Sequence, residues 1–288
     1  MATAERRLEL AAGDGLREQL LANLPVTERR LEPAEIATVV LEGGEGAPVV
    51  LLHGPGEFAA TWLRVIPDLA ATHRVVVPDL PGHGASGLPE GPLDAERALA
   101  WLGELIEQTC DSPPALVGHL LGGSLAARFA ADNRSRISRL VLVDGYGLAR
   151  LRPAPSFALG LIGFMARRPS LREQMEGRLE QLEAYALERA RTPAMKKALR
   201  SLMPQLGMRP IPAADLARIS VPTTLIWGRH DLQVGVRVAE AASARYGWEL
   251  HVIEDAADDP AVEQPEAFLD ALEAALAGSD EREQRRTA

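Results

Sequence analysis

Short apolar runs recur along this chain, and between them lie stretches whose apolar residues fall at helical spacing. Val49-Val50-Leu51-Leu52, Arg74-Val75-Val76-Val77, Ala115-Leu116-Val117, Leu140-Val141-Leu142-Val143 and Thr223-Thr224-Leu225-Ile226-Trp227 read as strands. A strand covered on both faces must be apolar throughout rather than alternating. Two earlier strands are expected near Glu28–Leu31 and Ile36–Leu41, and a last one over Glu249–Ile253. The intervening stretches predict helices near Thr61–Ala71 and over Ala95–Thr109, Ser124–Ala131, Val236–Tyr246 and Pro265–Ala277. In the second of these, Ala98, Leu99, Leu102, Leu105 and Ile106 form one stripe, with Asp94 placed to cap the first turn. Strand and helix in alternation predict an α/β fold with a mostly parallel, twisted, doubly wound sheet flanked by helices.

The alternation stops after Gly147. Residues 148–212 carry no strand pattern, and prolines divide them into two to four expected helices. Ser170-Leu171-Arg172-Glu173 has capping-box spacing, and Thr192-Pro193 reads as a cap followed by a first helical residue. A helical insertion here is expected to form a lid on a core made of residues 1–147 and 213–288. Residues 1–25 predict a helical extension with Leu16, Leu20, Leu21 and Leu24 on one face. The charged tail from Ser279 to Ala288 predicts disorder.

At 288 residues the chain has room for one large α/β domain with an insertion. Its net charge of −9 argues against nucleic acid and anionic membrane surfaces as partners. No apolar run approaches the ~20 residues of a membrane span. Met1–Glu9 lacks a basic-then-apolar secretion pattern, so a cytoplasmic protein is expected, as a monomer or homodimer. Cys110 is the only cysteine, which excludes an internal disulfide and a thiolate metal cluster. Lys196 and Lys197 are the only lysines, and this arginine- and alanine-rich usage fits a high-GC bacterial genome.

The strand Ala115–Val117 runs into Gly118-His119-Leu120-Leu121-Gly122-Gly123, a tight glycine turn that aims one side chain outward at the carboxyl end of the sheet. This stretch resembles the nucleophile elbow of the α/β-hydrolase family. So do four other segments, in the family's order. They are His53-Gly54 with Trp62 further on, Pro78-Asp79-Leu80-Pro81-Gly82-His83-Gly84-Ala85-Ser86, Trp227-Gly228-Arg229-His230-Asp231 and Glu263-Gln264-Pro265-Glu266. The likeness covers residues 28–277 and is nearest to lidded esterases, C–C bond hydrolases and cofactor-free haloperoxidases. It implies an α/β-hydrolase fold with a helical lid and no cofactor. Residue by residue, it also implies a triad that is mostly gone. Leu120 stands at the nucleophile position and Asp258 at the histidine position, while Asp231 matches the acid. Acyl transfer needs a nucleophile and a base to take its proton. Pro55 has no N–H for an oxyanion hole, so Leu121 and Gly56 are the candidate donors.

The remaining chemistry is carboxylic. If the fold is kept, Asp231 and Asp258 replace an Asp–His pair, and two carboxyls in contact would share a proton. The alternative for Asp258 is a solvated loop residue beside Asp255 and Asp259. Asp144 ends its strand at the same edge, with Tyr146 as a possible partner. His53, Glu57, Phe58, His119, Leu120, Leu121, Phe157 and Tyr185 are the other candidate pocket residues. His119 and Ser124 also read as ordinary packed residues. No metal set is recognisable, because no His-x-x-His pair accompanies the aspartates. Three functions remain open. One is a lyase, cyclase or isomerase moving protons on a small apolar molecule in bacterial specialised metabolism. Another is a catalytically silent ligand-binding protein. The third is a hydrolase with an unrecognised nucleophile, or one whose elbow serine was replaced by engineering.

Overall fold

A computed structural model describes residues 15, 17–150 and 192–277. Eight strands form one sheet: β1 (Thr27–Leu31), β2 (Thr38–Gly43), β3 (Pro48–Leu52), β4 (Arg74–Pro78), β5 (Ala115–His119), β6 (Arg139–Val143), β7 (Thr223–Gly228) and β8 (Glu249–Ile253). Their order is β1-β2-β4-β3-β5-β6-β7-β8. β1 pairs antiparallel with β2, and β2 with β4; the pairs from β4 to β8 are all parallel. The chain therefore winds outward from β3 in one direction and from β5 in the other. The crevice outside the carboxyl ends of β3 and β5, where the order reverses, is where such sheets hold ligands.

Alternation along each strand divides the core between two faces. Val50 and Leu52 of β3 join Leu116 of β5 on the face covered by α1 (Ala95–Thr109) and α2 (Leu120–Asp132). Val49 and Leu51 join Val117 on the other face, with Leu20, Leu69, Phe268 and Leu272. Leu20 belongs to a turn of helix over residues 17–21, and Phe268 to α5 (Pro265–Leu276). α3 (Pro193–Leu202) and α4 (Val236–Tyr246) complete the larger helices described. The cap of α1 forms as expected, the Asp94 carboxylate accepting from Arg97 N–H at 2.9 Å. Thr192 caps α3 by accepting from Met195 N–H at 3.2 Å. Among the described residues, no helix is long and apolar enough to cross a membrane.

Two expected helices differ in form. The one near Thr61–Ala71 is a 3-10 turn (Ala59–Trp62) followed by a single turn (Ile66–Ala70). Pro67, which has no N–H, can sit only in the first turn of a helix and so restarts it. The elbow helix begins at Leu120 rather than Ser124 and takes Gly122 and Gly123 inside it. Their low helix propensity is overridden because the helix must abut the sheet. A Cβ on Gly122 would lie 2.6 Å from the Leu52 carbonyl oxygen. The capping-box stretch at Ser170–Glu173, most of the expected lid and the charged tail lie outside the described residues. Of the 148–212 insertion, α3 and a π turn at Met203–Gly207 are described, the latter packed on α2.

Candidate active site

The turn from β5 into α2 has Leu120 at its corner. Leu120 is 4% exposed and has φ +44, a left-handed conformation unusual for a bulky residue and costing about 1–3 kcal/mol. It is the first residue of α2, and its carbonyl accepts from Tyr146 N–H at 3.0 Å. Leu121 N–H lies in the first turn of α2, where backbone donors have no intrahelical partner. Gly56, the other candidate oxyanion donor, has φ +83 and open space around its Cα.

The nearby hydroxyls are committed elsewhere. Ser124 is fully buried and donates to the Leu206 carbonyl at 2.6 Å. Ser86 donates to the Asp79 carbonyl at 2.8 Å and accepts from Val39 N–H at 2.9 Å. Thr72 Oγ1 lies 2.8 Å from His73 Nδ1, but just before β4, at the opposite edge of the sheet from the elbow.

His53 and Phe58, expected in the pocket, serve structure instead. His53 Nε2 accepts from Leu80 N–H at 2.9 Å, so its Nδ1 carries the proton and donates to the Gly54 carbonyl at 2.8 Å. Both nitrogens are engaged and the ring is neutral. Burial, the largest effect, lowers its pKa despite Asp79 and Glu57 nearby. His83 lies 5.3 Å from it with the rings tilted at 54°, and is pushed down to about 3, by burial first and by His53 second. Phe58 packs into the core with Leu20 and Trp62, because the chain turns inward at Ala59 to bond Asp79 at 2.7 Å. Phe157 and Tyr185 lie outside the described residues.

His119 and Glu57 form a buried ion pair beside the elbow. His119 Nδ1 is 3.2 Å from Glu57 Oε2, and His119 Nε2 is 2.6 Å from the Asp258 carbonyl oxygen. Both partners are acceptors, so both ring nitrogens donate and the ring is an imidazolium. Burial opposes that charge, but the Glu57 carboxylate, its hydrogen bond and Asp259 outweigh it and hold the pKa well above the usual value. Burial likewise opposes the Glu57 charge, and His119 overcomes it, lowering the Glu57 pKa. Gly54 N–H donates to Glu57 Oε2 at 2.6 Å, tying the loop after β3 to the pair.

Asp231 and Asp258, whose carboxyls were expected to meet, are both bonded to Gln233. Its backbone N–H donates to Asp231 Oδ1 at 2.6 Å and its side-chain amide donates to Asp258 Oδ2. Each carboxylate thereby gains a donor, Asp231 from the Gln233 backbone and Asp258 from its side chain. Tyr146 O–H donates to Gln233 Oε1, so Tyr146, Gln233 and Asp258 form one chain. Val234 N–H donates to Asp231 Oδ1 at 3.1 Å, and Asp231 Oδ2 is buried without a partner. Burial pushes the Asp231 pKa up to about 6, against the lowering effect of its two backbone donors.

Asp144 sits behind Asp231 at the end of β6. It is fully buried with φ +45, and its Oδ1 accepts from Gly228 N–H at 3.0 Å. Its Oδ2 has no partner. Burial, then the charge of Asp231, hold its pKa well above the carboxylate range. The loop after Ala256 is folded by Glu263, which accepts from Ala257 N–H at 2.6 Å and Asp259 N–H at 3.3 Å. Gln233 carries no pattern that sequence reading could have used, and Glu263 was read only as the start of the segment Glu263-Gln264-Pro265-Glu266, not for this loop contact. Both act through loop geometry.

A family model described as the alpha/beta hydrolase family matches residues 49–271, more than half of the chain. The chain belongs to the alpha/beta hydrolase family. Pimeloyl-[acyl-carrier protein] methyl ester esterase of Aeromonas hydrophila is 28% identical over 249 residues, covering 80% of this chain and 95% of its own. 2-Hydroxy-6-oxo-2,4-heptadienoate hydrolase of Pseudomonas putida is 28% identical over 281 residues, 86% of this chain and 98% of its own. Among solved structures, 2-hydroxy-6-oxo-6-phenylhexa-2,4-dienoate hydrolase from Rhodococcus sp. strain RHA1 superposes with a TM-score of 0.73 at 24% identity, covering 88% of this chain and 99% of that one. At that identity the superposition speaks for fold alone. Near the turn at Leu120 the described residues thus hold the carboxyls of Glu57, Asp144, Asp231 and Asp258 and the His119 imidazolium.

Proposed function

We propose that this alpha/beta hydrolase family member is a non-hydrolytic enzyme that moves a proton on a small, largely apolar substrate, with Asp231 as the acid–base group. Leu120 at the elbow carries the reading: the attacking position holds a side chain with no nucleophilic atom, in the elbow's own left-handed backbone conformation. Proton transfer needs only a positioned group with a pKa near the working pH, and Asp231, at about 6 with one unpartnered oxygen, has both properties. Asp144, kept protonated beside it, acts as a neutral acid toward a developing oxyanion, and Leu121 N–H adds a second donor. The relatives' names, a methyl ester esterase and a heptadienoate hydrolase, support a small-molecule substrate.

A second reading, a ligand-binding protein without turnover, is favoured by the hydrogen-bonded sets Glu57–His119 and Tyr146–Gln233–Asp258, which tie these side chains to one another. The test uses acetophenone in D2O, followed by NMR at its α-methyl position. Exchange should exceed the buffer rate, rise as pH passes through about 6 while Asp231 ionises, and vanish in Asp231→Asn. Exchange at the buffer rate favours the silent protein. Hydrolysis of p-nitrophenyl butyrate by the unaltered chain would overturn the non-hydrolytic reading.

A further inference from the structure

Proton transfer through Asp231, Asp144 and Leu121 N–H leaves the Glu57–His119 pair without a role. That pair has a defined place in the sheet. His119 is the last residue of β5, Glu57 lies in the loop after β3, and β3 and β5 are parallel neighbours. The bond from His119 Nδ1 to Glu57 Oε2 therefore spans the switch point, where sheets of this kind hold their ligands.

The two partners differ in exposure. The His119 side chain is 2% exposed and that of Glu57 22%. Glu57 Oε2 takes both donors, Gly54 N–H at 2.6 Å and the His119 imidazolium at 3.2 Å. Its other oxygen, Oε1, accepts from none of the described residues and is not one of the buried oxygens left without a partner. It is an acceptor open to the crevice. The loop also leaves room there. A Cβ on Gly54 would lie 2.7 Å from Oε1, so that oxygen sits over Gly54, whereas a Cβ on Gly56 would meet nothing within 4 Å.

The charge of the pair decides what can use this oxygen. Both ring nitrogens of His119 donate, so the carboxylate and the imidazolium neutralise each other. The imidazolium is bonded to the same carboxyl group, so a second cation at Oε1 would be repelled at short range. An anion or a bare carbonyl would set acceptor against acceptor. A neutral N–H or O–H pairs with the oxygen and adds no charge, and a hydrogen bond to an ionised acceptor is the stronger kind. We infer that Glu57 Oε1 selects the substrate by accepting from a neutral N–H or O–H on an otherwise apolar molecule seated against Gly56. The inference rests on the reading of a small, largely apolar substrate and adds the group that substrate carries.

Protein-observed NMR titration of the intact chain tests this with probes that differ by a methyl group. Indole and phenol carry the donor, and N-methylindole and anisole have it capped. 3-Methylindole adds the same bulk with its N–H free. Indole, 3-methylindole and phenol should give saturable shifts at millimolar concentration. The capped probes should bind at least about tenfold more weakly, since Oε1 then faces a methyl group. The wider gap of the two pairs tells an N–H site from an O–H site. In Glu57→Gln, Gly54 N–H still needs an acceptor at the Oε2 position, so the amide oxygen stays there and the NH2 group takes the place of Oε1. The preference for the uncapped probes should then fall to within about twofold. A measurement on the unaltered chain decides the matter even where that variant does not fold: NOEs from bound indole should reach the Gly56 and Glu57 protons. Four results overturn the inference. They are no saturable binding of indole or phenol, equal binding of capped and uncapped probes, a folded Glu57→Gln with the preference unchanged, or NOEs that place indole elsewhere, as in the groove lined by Glu107, Cys110 and Arg136. Acetophenone carries no N–H or O–H, and the titration needs no turnover. Proton exchange can therefore fail while donor recognition stands, and the reverse.

Discussion

Asp231 is a carboxyl whose burial works against the fold. Its pKa is about 6 in the folded chain, against about 3.9 for an ordinary aspartate. Between those values the folded state binds more protons than the unfolded state, so stability falls as pH rises from about 4 to about 6 and is level above that range. The full swing is about 3 kcal/mol. Asp231→Asn keeps an acceptor for Gln233 and Val234 N–H and removes the titration. The variant should therefore be more stable than the parent at pH 7.5 by up to about 3 kcal/mol, with the gap closing toward pH 4; chemical denaturation at both pH values checks it. His119 works in the opposite sense. Its folded pKa is raised, so its contribution is complete below the ordinary histidine value near 6.5 and disappears only as pH rises through the folded value. Glu57→Gln should cost about 3 kcal/mol or more at neutral pH, because an unpaired buried imidazolium remains, and should return the His119 titration toward its ordinary value in an NMR pH series. At this scale the sequence was only partly legible. Asp144, Asp231 and Asp258 could be picked out from their positions after strands. The partners of His119 could not, since Glu57 is 62 residues away and Asp258 is 139. Gln233, which bonds to both Asp231 and Asp258, is an ordinary loop glutamine until the loop closes.

Among the elements, strands and long helices were legible because periodicity and caps are local, and the bounds of α1, α4 and β8 coincide with those expected from their residues. The elbow was legible for a different reason: its glycines mark close contact. Gly228 shows the same, since a Cβ there would overlap the Ala257 carbonyl and drive away the loop that carries Asp258. What local pattern could not reveal is how the helix over residues 17–21 is fastened. Arg17 is 3.0 Å from Asp79 Oδ2 and 3.0 Å from Glu28 Oε2, and lies 5.8 Å over the Phe58 ring. The Asp79 carboxylate in turn accepts from Ala59 and Ala85 N–H at 2.7 and 2.8 Å, which joins the loop after β3 to the loop after β4. The N-terminal helix therefore neutralises the carboxylate that organises the Glu57 loop. Arg17→Met should destabilise the protein by about 3–5 kcal/mol in urea titration, and adding Asp79→Asn should recover part of the loss by removing the uncompensated charge. A loss below about 1 kcal/mol would mean that the backbone donors alone suffice for Asp79.

For the molecule as a whole, the family architecture sets where chemistry occurs and leaves open what it is. The switch point between β3 and β5 brings the elbow, the loop after β3 and the ends of β6 and β7 to one crevice, whatever side chains they carry. That separation lets hydrolysis be used as a test of the proposed reading. Leu120 has a left-handed backbone conformation, Leu121 N–H opens α2, and Asp231 Oδ2 is buried without a partner. On that reading a Ser–His–Asp set would need two further side chains, at positions 120 and 258. Leu120→Ser alone supplies an alcohol with no base, and Asp258→His alone a base with no nucleophile, so neither single variant should hydrolyse p-nitrophenyl acetate above the buffer rate. The double variant should do so, with a pH profile rising through the histidine range near 6.5. The rate should be modest, because Gln233 must release the residue at 258. The outcome is non-additive by construction, since nucleophile and base act as a unit. A double variant as inert as the single ones, with its fold intact by circular dichroism, would show that the crevice has drifted out of hydrolytic geometry and not merely lost its reactive groups.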